Sequence, residues 1–277
     1  MPRKKYQPIS ADQTQWFREI ENYQPPKESE EPDTKPPKPK KPSDLVLPSD
    51  SFFITKELYD EFEARRLKEF PDIESLSGLN YNQETGEVTG STSFIATYLN
   101  SFLPENYRTS TPLDLENILK ANSFQLKGYY IDSGLVLRST SEPNQHSAQH
   151  LMKQVKARLG NNLQLPLLIP LYGLELKADK DSPHRLSFNL KDNAELISAL
   201  ILSQDSAYFS SEDINERTGL PKELGEQSKH RNRYLWTASS GLRRFYLDGD
   251  LDLNSDDEYL PDSNSGGRVV VTGGGGK

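Results

Sequence analysis

Proline is distributed unevenly along this chain, and that distribution limits where a folded core can form. Ten of the nineteen prolines fall within residues 1–48. Residues 24–43 alternate proline, lysine and glutamate with almost no apolar side chains. Such a segment cannot recover the conformational entropy that ordering would cost. We therefore expect residues 1–48 to form a disordered, partly polyproline arm ahead of a folded body.

An aromatic island interrupts this arm. Trp16, Ile20 and Tyr23 are spaced i, i+4 and i+7, with Phe17 beside them. This spacing is typical of a short amphipathic helix and predicts one over residues 11–23. An isolated helix of that length is marginal in water, so we expect it to dock on the body or on a partner protein. These four side chains are the predicted partner-binding residues.

Composition excludes several classes of protein. The chain has no cysteine, which excludes disulfides, thiolate metal sites and cysteine nucleophiles. The sequence has no run of 18 apolar residues, so it predicts no membrane span. The N-terminal residues also lack the apolar stretch of a secretory signal. We therefore expect a cytoplasmic protein. The net charge of −8 argues against a generally basic, nucleic-acid-binding body, so any such site must be a local patch.

Residues 49–184 are predicted to form an α+β domain. Capping residues, prolines and apolar periodicity predict its helices at about 55–70, 93–103, 112–121 and 147–159. β-capable runs predict a hairpin within residues 80–89, a second hairpin whose strands flank Asp132-Ser133-Gly134, and strands within 163–177 and 185–190. The expected fold is a small mixed sheet packed by helices.

The strongest local positive charge lies in residues 222–246, which hold six Lys or Arg against two Glu. The apolar spacing predicts a helix from about Arg231 to Tyr246, with Leu235, Leu242 and Phe245 on its buried face. On the opposite face arginines alternate with small polar residues, a pattern that suits a helix entering the major groove of DNA. The predicted nucleic-acid-binding residues are Lys229, Arg231, Arg233, Thr237, Ser240, Arg243 and Arg244.

Residues 185–272 resemble the winged helix-turn-helix domain of bacterial response regulators. A strand precedes an apolar helix over Ala194–Leu202, and Tyr208-Phe-Ser-Ser-Glu-Asp-Ile opens a second helix. Ser239-Ser-Gly-Leu-Arg-Arg-Phe is similar to the end of a recognition helix, and Val269–Thr272 to the last strand of the wing. The resemblance implies that the third helix reads DNA and the wing contacts its backbone. Residues 273–277 would form a flexible tail.

Two alternatives stay open at this point. Arg233 and Arg244 could instead form a solvated helix face paired with the acidic stretch at residues 247–258, whose carboxylates would repel phosphate. In the first half, residues 93–139 are predicted to form two helices followed by a hairpin. This arrangement could be a second winged-helix-like unit, or a coincidence, since it is common in proteins.

Motifs for metals and catalysis are incomplete. His146 and His150 have the i, i+4 spacing of zinc ligands, but no HExxH glutamate lies between them. Residues 248–259 imitate a calcium loop but lack its glycine and its final glutamate. The glycines at 273–276 precede a lysine without the spacing of a phosphate-binding loop. We therefore predict no metal, no cofactor and no enzymatic activity.

Two functions follow from these patterns. The first is a non-catalytic DNA-binding protein, such as a regulator, that uses the C-terminal basic residues. The alternative is a structural or adaptor protein of a phage particle or another multiprotein assembly. In that case the N-terminal arm docks a partner protein.

Overall fold

The computed structural model describes residues 47–48 and 50–273 of the chain, apart from the side chain of Asn161. Nearly all of the predicted arm, its aromatic island with Trp16, Phe17, Ile20 and Tyr23, and the tail after Gly273 therefore lie outside the described residues. The described residues combine α and β structure, which confirms the mixed composition expected from the sequence.

The described residues contain four α-helices, and local sequence signals predicted all four. They are α1 (Lys56–Glu69), α2 (Ser93–Leu99), α3 (Pro112–Ala121) and α4 (Gln145–Leu159). The Thr55 hydroxyl caps α1, and Pro71 follows its end. Thr111 and Asp114 form a capping box at α3, with Pro112 in the first turn. The predictions are confirmed, with ends that differ by a few residues.

The strands of the described chain form four sheets. Chain order gives β1 (Phe52–Phe53), β2 (Asn80–Tyr81), β3 (Val88–Thr89), β4 (Tyr107–Thr109), β5 (Ile131–Leu137), β6 (Leu167–Pro170), β7 (Leu174–Ala178), β8 (Leu186–Leu190), β9 (Ile197–Ser198), β10 (Ala207–Phe209), β11 (Arg233–Trp236), β12 (Leu242–Leu247), β13 (Leu253–Asn254) and β14 (Val270–Gly273). The largest sheet has the order β10-β11-β13-β12-β5-β6-β9, and a three-stranded sheet has the order β1-β14-β4. β2–β3 and β7–β8 are separate two-stranded sheets.

The seven-stranded sheet organises the molecule. β5 pairs antiparallel with β12 from Leu137 opposite Leu242 to Ile131 opposite Leu247, with a bulge after Phe245. β11 and β13 run parallel, whereas the other neighbours in this sheet run antiparallel. The sheet combines β5 and β6 with five strands that follow residue 185.

Apolar side chains cover both faces of this sheet. One face, here called the α2 face, carries Leu135 and Leu242 and packs with apolar residues of α2 and α4. The other, the α3 face, carries Val136 and Phe245 and packs with α3. Because successive strand residues point to opposite faces, each central strand supplies both clusters.

The hairpin predicted around Asp132-Ser133-Gly134 is wrong. Residues 131–137 form one continuous strand, β5, whose seven residues are all buried. Asp132 bonds to Arg244 on the neighbouring strand. A Cβ on Gly134 would lie 2.6 Å from the side chain of Leu168. Asp, Ser and Gly usually form turns, but here they lie in a buried strand, where Asp132 pairs with an arginine and Gly134 allows close packing. Local propensity does not distinguish these two uses of the same residue types.

The three helices predicted after residue 185 are also wrong, because no α-helix lies between residues 185 and 272 of the described chain. β9 and a 3₁₀ turn at Leu200–Ser203 replace the first. The second, predicted around Ile214 and ending at Gly219, is replaced by turns and an isolated bridge between Ile214 and Pro221. β11 and β12 replace the third. Gly241 between the last two strands has a φ of +75°, and a Cβ there would lie 2.5 Å from the Pro143 backbone. The chain consequently turns back into β12 instead of continuing as a helix. Val269–Thr272 largely coincides with β14, which lies in the three-stranded sheet.

Candidate functional site

Arg233, predicted to contact DNA, lies buried on the α3 face. Its Nη1 and Nη2 each donate to a carboxylate oxygen of Glu116 at 2.8 Å, and Nε donates to the Leu251 carbonyl at 2.5 Å. The guanidinium also lies 4.8 Å from the centre of the Phe209 ring. The side chains of Arg233 and Glu116 are 8% and 2% exposed. This arginine therefore joins β11 to α3 and does not present its charge to solvent.

Arg244 is buried on the opposite face of the sheet. Its Nε and Nη2 donate to the two carboxylate oxygens of Asp132, each at 2.9 Å, and Nη1 lies 3.2 Å from Asp257. The guanidinium is flanked by the rings of Tyr130 and Tyr246. Bidentate pairing with a carboxylate and contact with aromatic rings are two geometries that arginine favours. The two arginines thus point away from each other and do not form one surface.

The other predicted nucleic-acid-binding residues are also scattered. Arg243 donates to the Asp256 and Ser240 carbonyls. The Thr237 hydroxyl donates to the Gln204 carbonyl, and that of Ser240 to the Glu142 carbonyl. Lys229 is exposed, and Arg231 forms a partly exposed ion pair with Glu223 at 3.3 Å. The structure does not gather the seven residues into one basic patch.

A third buried arginine, Arg138, was not singled out by the sequence. It follows β5, and the whole residue is 7% exposed. Its Nη2 donates to the Ser255 hydroxyl at 2.8 Å and to the Leu202 carbonyl at 3.4 Å. Nε and Nη1 are buried without a hydrogen-bond partner in the described part of the chain. Burial, with a smaller effect of nearby Arg243, lowers the pKa of Arg138 to about 10.

We expect Arg138→Met to raise the free energy of unfolding by about 1–3 kcal/mol, because a buried charge without a carboxylate partner costs more than its hydrogen bonds return. Ser255 would not be left unpaired, since its hydroxyl also donates to the Trp236 carbonyl at 2.8 Å. Urea denaturation measures the change. Arg138→Lys, which keeps the charge, should give no such gain. A loss above about 1 kcal/mol in Arg138→Met would contradict the assignment.

Three aromatic side chains form a ladder on two neighbouring strands, β10 and β11, at one edge of the large sheet. This aromatic ladder comprises Tyr208 on β10 and Tyr234 and Trp236 on β11. Tyr208 lies directly opposite Tyr234. The ring centroids are 4.7 Å apart for the tyrosine pair and 4.6 Å for Tyr234 and Trp236. Leu235 between them is buried on the α3 face, so the ladder lies on the α2 face.

The ladder is partly accessible to solvent. Trp236 is 42% exposed, and Tyr208 and Tyr234 are half-buried. The Tyr234 hydroxyl donates to the Ser206 carbonyl at 3.0 Å. Among the described residues, the Tyr208 hydroxyl and the Trp236 indole N–H have no hydrogen-bond partner. The ladder therefore offers apolar ring surface together with two free donors.

Charges of both signs lie near the ladder. Asp252 accepts the Tyr234 backbone N–H at 2.6 Å, and burial raises the pKa of its carboxyl. Gly225 exchanges two backbone hydrogen bonds with Tyr208. The Arg231 guanidinium lies beside Gly225, since a Cβ there would be 2.6 Å from its Nη1, and it pairs with Glu223 at 3.3 Å. The surroundings of the ladder are therefore not uniformly acidic or basic.

The two histidines with metal-ligand spacing bond to other side chains. His146 Nε2 lies 2.9 Å from a carboxylate oxygen of Asp179, and His150 Nε2 lies 3.0 Å from the side-chain oxygen of Asn189. Within the residues that the structure describes, no group of three or more His, Asp or Glu could hold a metal ion. The pair therefore links α4 to the β7–β8 hairpin.

A cavity of about 370 Å³ is lined by a serine and a histidine, residue types that form hydrolase active sites, but the two side chains are not hydrogen-bonded to each other. Ser75 and His184 both line it. Burial lowers the pKa of His184, so its imidazole is neutral at pH 7. The Ser75 hydroxyl is buried without a hydrogen-bond partner in the described chain. A nucleophile and its base must approach within hydrogen-bond reach, and that contact is not formed between these two residues.

Comparison with protein-family models, with curated proteins and with solved structures finds no match to this chain. Among the described helices, none is both long and apolar enough to cross a membrane. The aromatic ladder is the surface of the described chain with the clearest chemical character.

Proposed function

We propose that this protein is a non-catalytic assembly or adaptor protein that binds an extended peptide segment at the aromatic ladder. The observation that carries the proposal is the solvent-accessible cluster of Tyr208, Tyr234 and Trp236, whose rings contact one another edge-on or tilted at one edge of the large sheet. Tyrosine and tryptophan provide large, rigid contact surfaces and dominate the energetics of many protein interfaces.

Energetics support a binding role for Trp236 in particular. A tryptophan that is 42% exposed leaves much of its apolar surface in water. Covering that surface would contribute roughly 25 cal/mol for each Å² removed from water. The unpaired Tyr208 hydroxyl and Trp236 indole N–H can donate to carbonyl groups of an extended backbone, which has no hydrogen bonds of its own. The ladder thus suits a peptide better than a small ligand, which usually requires a concave site.

Nucleic-acid binding has less support at the same surface. Aromatic rings can stack on bases, but this mode also requires cations that follow the phosphates. The guanidinium groups of Arg231, Arg233 and Arg244 are all engaged with carboxylates, so they are less available to phosphates. DNA binding by a winged helix over residues 185–272 remains a prediction. The predicted docking role of residues 11–23 also remains one, since those residues lie outside the described chain.

Photo-crosslinking tests the proposal. With a benzophenone amino acid in place of Trp236, we expect covalent adducts to a protein in cells that produce this chain, and peptide mapping should place them on an extended segment. The matched control carries the same group at Tyr259, which is 66% exposed but lies outside the ladder. Equal adducts at both positions would argue against a specific surface.

A parallel measurement decides between peptide and nucleic acid. The full chain is titrated with single-stranded and duplex DNA at low salt, where phosphate contacts are strongest. We expect no saturable binding. Binding that falls steeply with salt and is lost in Trp236→Ala would instead assign the ladder to nucleic acid.

A further inference from the structure

We infer that a second site, the cleft beside Lys191, binds a small organic molecule that carries a carboxylate or phosphate group. The cleft shares no residue with the aromatic ladder, so the inference goes beyond the proposed peptide-binding function. Its volume of about 480 Å³ lies within the range that is typical of small-molecule sites. Its walls come from the segment between α2 and α3, from Tyr172 after β6, and from the turn after β8.

Lys191 is withdrawn from solvent, unlike the other lysines of the described chain. It is half-buried, whereas every other described lysine is exposed. Its ammonium group donates to the Tyr172 carbonyl at 2.9 Å. Within the described residues, it forms no ion pair with a carboxylate, and its other two N–H groups have no acceptor. A lysine is seldom withdrawn from water without a counter-charge, because its desolvation costs free energy.

The ammonium group is therefore incompletely stabilised by the described residues. Burial lowers the pKa of Lys191, and the attraction of the Glu175 carboxylate offsets only part of this effect. An anion bound in the cleft would supply the counter-charge and accept the two free N–H groups. Hydrogen bonds between ionised partners are stronger than those between neutral ones. The cleft thus favours a ligand with an anionic group.

The other charged side chains around the cleft are either paired or exposed. Arg108 binds the Asp114 carboxylate through both terminal nitrogens, and its guanidinium lies 5.0 Å from the centre of the Tyr172 ring. Glu195 accepts the Tyr172 hydroxyl at 3.1 Å. Glu105 is exposed at the wall of the cleft and would repel a polyanion. We therefore expect a ligand with one anionic group, held by the lysine ammonium.

Apolar surface completes the walls and favours an organic ligand over an inorganic ion. Leu103, Pro104, Tyr107 and Tyr172 all line the cleft. The Tyr107 hydroxyl donates to the Leu47 carbonyl at 3.2 Å, so its proton is already engaged. These side chains therefore offer mainly apolar contact, which stabilises a bound apolar group in proportion to the area removed from water. Phenyl phosphate and benzoate combine such a group with a single anionic one.

Titration of the full chain with phenyl phosphate tests the inference. At constant ionic strength, calorimetry should show saturable binding with a Kd of about 1 mM. Inorganic phosphate, which lacks the apolar group, should bind roughly tenfold more weakly. Lys191→Met should weaken phenyl phosphate binding by roughly tenfold or more, because charge-assisted hydrogen bonds are lost. Lys191→Arg, which keeps the charge, should retain part of the affinity.

Lys177→Met is the matched control, because Lys177 is exposed and lies outside the cleft. This variant and Trp236→Ala should bind phenyl phosphate like the parent. A second measurement does not depend on the folding of Lys191→Met. Reductive methylation with ¹³C-formaldehyde labels the lysines of the parent, and the Lys191 signal is identified by its absence in Lys191→Arg. Phenyl phosphate should shift this signal more than that of Lys177.

Three results would overturn the inference. They are a parent without saturable binding up to about 20 mM phenyl phosphate, a folded Lys191→Met variant that binds like the parent, and equal shifts of the two lysine signals. None of them would affect protein adducts at position 236, since the cleft and the aromatic ladder share no residue. Failure of this inference and failure of the proposed function can therefore be distinguished.

Discussion

Replacing Arg244 with methionine should lower the free energy of unfolding by about 3–5 kcal/mol, because it leaves the Asp132 carboxylate buried without its cation. In the folded chain the two side chains are 3% and 0% exposed and are joined by two hydrogen bonds of 2.9 Å. After the substitution, Asp132 would keep the Ser91 hydroxyl as a hydrogen-bond donor at 2.7 Å. One neutral donor cannot replace a guanidinium. Urea denaturation followed by circular dichroism measures the loss.

The neighbouring arginine supplies the matched control. Arg243 lies 3.8 Å from Glu258, which is 46% exposed, so this ion pair is partly solvated. Arg243→Met should therefore cost less than Arg244→Met, about 1–2 kcal/mol, most of it from the lost hydrogen bonds to the Asp256 and Ser240 carbonyls. Adding Asp132→Asn to Arg244→Met should restore part of the lost stability, because it removes the unpaired charge. Equal losses at positions 243 and 244 would show that the Arg244 pair has no special role.

The second large effect is expected at the buried pair on the opposite face of the sheet. Arg233→Met should also lower the free energy of unfolding by about 3–5 kcal/mol, because Glu116 would lose its bidentate partner while remaining buried. Glu116 lies on α3 and is 2% exposed. The substitution should also loosen the contact between α3 and β11. Faster amide hydrogen exchange in α3 would report that loosening.

Arg231→Met is the control for this prediction, since it lies two residues earlier and pairs with Glu223. That pair is exposed, with side chains 38% and 69% accessible. Its loss should change the free energy of unfolding by about 1 kcal/mol or less. An equally small loss of unfolding free energy in Arg233→Met would indicate that the Arg233 guanidinium is not held in the interior of the parent protein. The prediction that it contacts DNA would then regain support.

The helices show what a single sequence predicts well. Thr55, Thr111 and Pro112 act within one helical turn of where they stand, so their signals can be recognised without knowledge of the fold. Pro71 follows the end of α1, and Gly160, with a φ of +54°, caps the end of α4. These local effects explain why α1 to α4 were predicted.

The candidate site shows what a single sequence does not predict. Tyr234 and Trp236 belong to a strand that was predicted as helix, and Tyr208 lies just before another predicted helix, so their assembly into a ladder was missed. Leu235 and Leu242 have helical spacing by coincidence, and each is buried as a strand residue. The alternation of Arg233 and Leu235 with Tyr234 and Trp236 was the available signal for β11.

The sequence by itself determined the four helices and the mixed composition of the body, because caps, prolines and glycines act on the backbone next to them. Tertiary structure alone decided which strands pair and what the arginines do. Arg244 meets a carboxylate 112 residues away, and Arg233 meets one 117 residues away. The helical spacing of arginines does not reveal such partners, since burial and pairing of a charge depend on what the fold brings beside it.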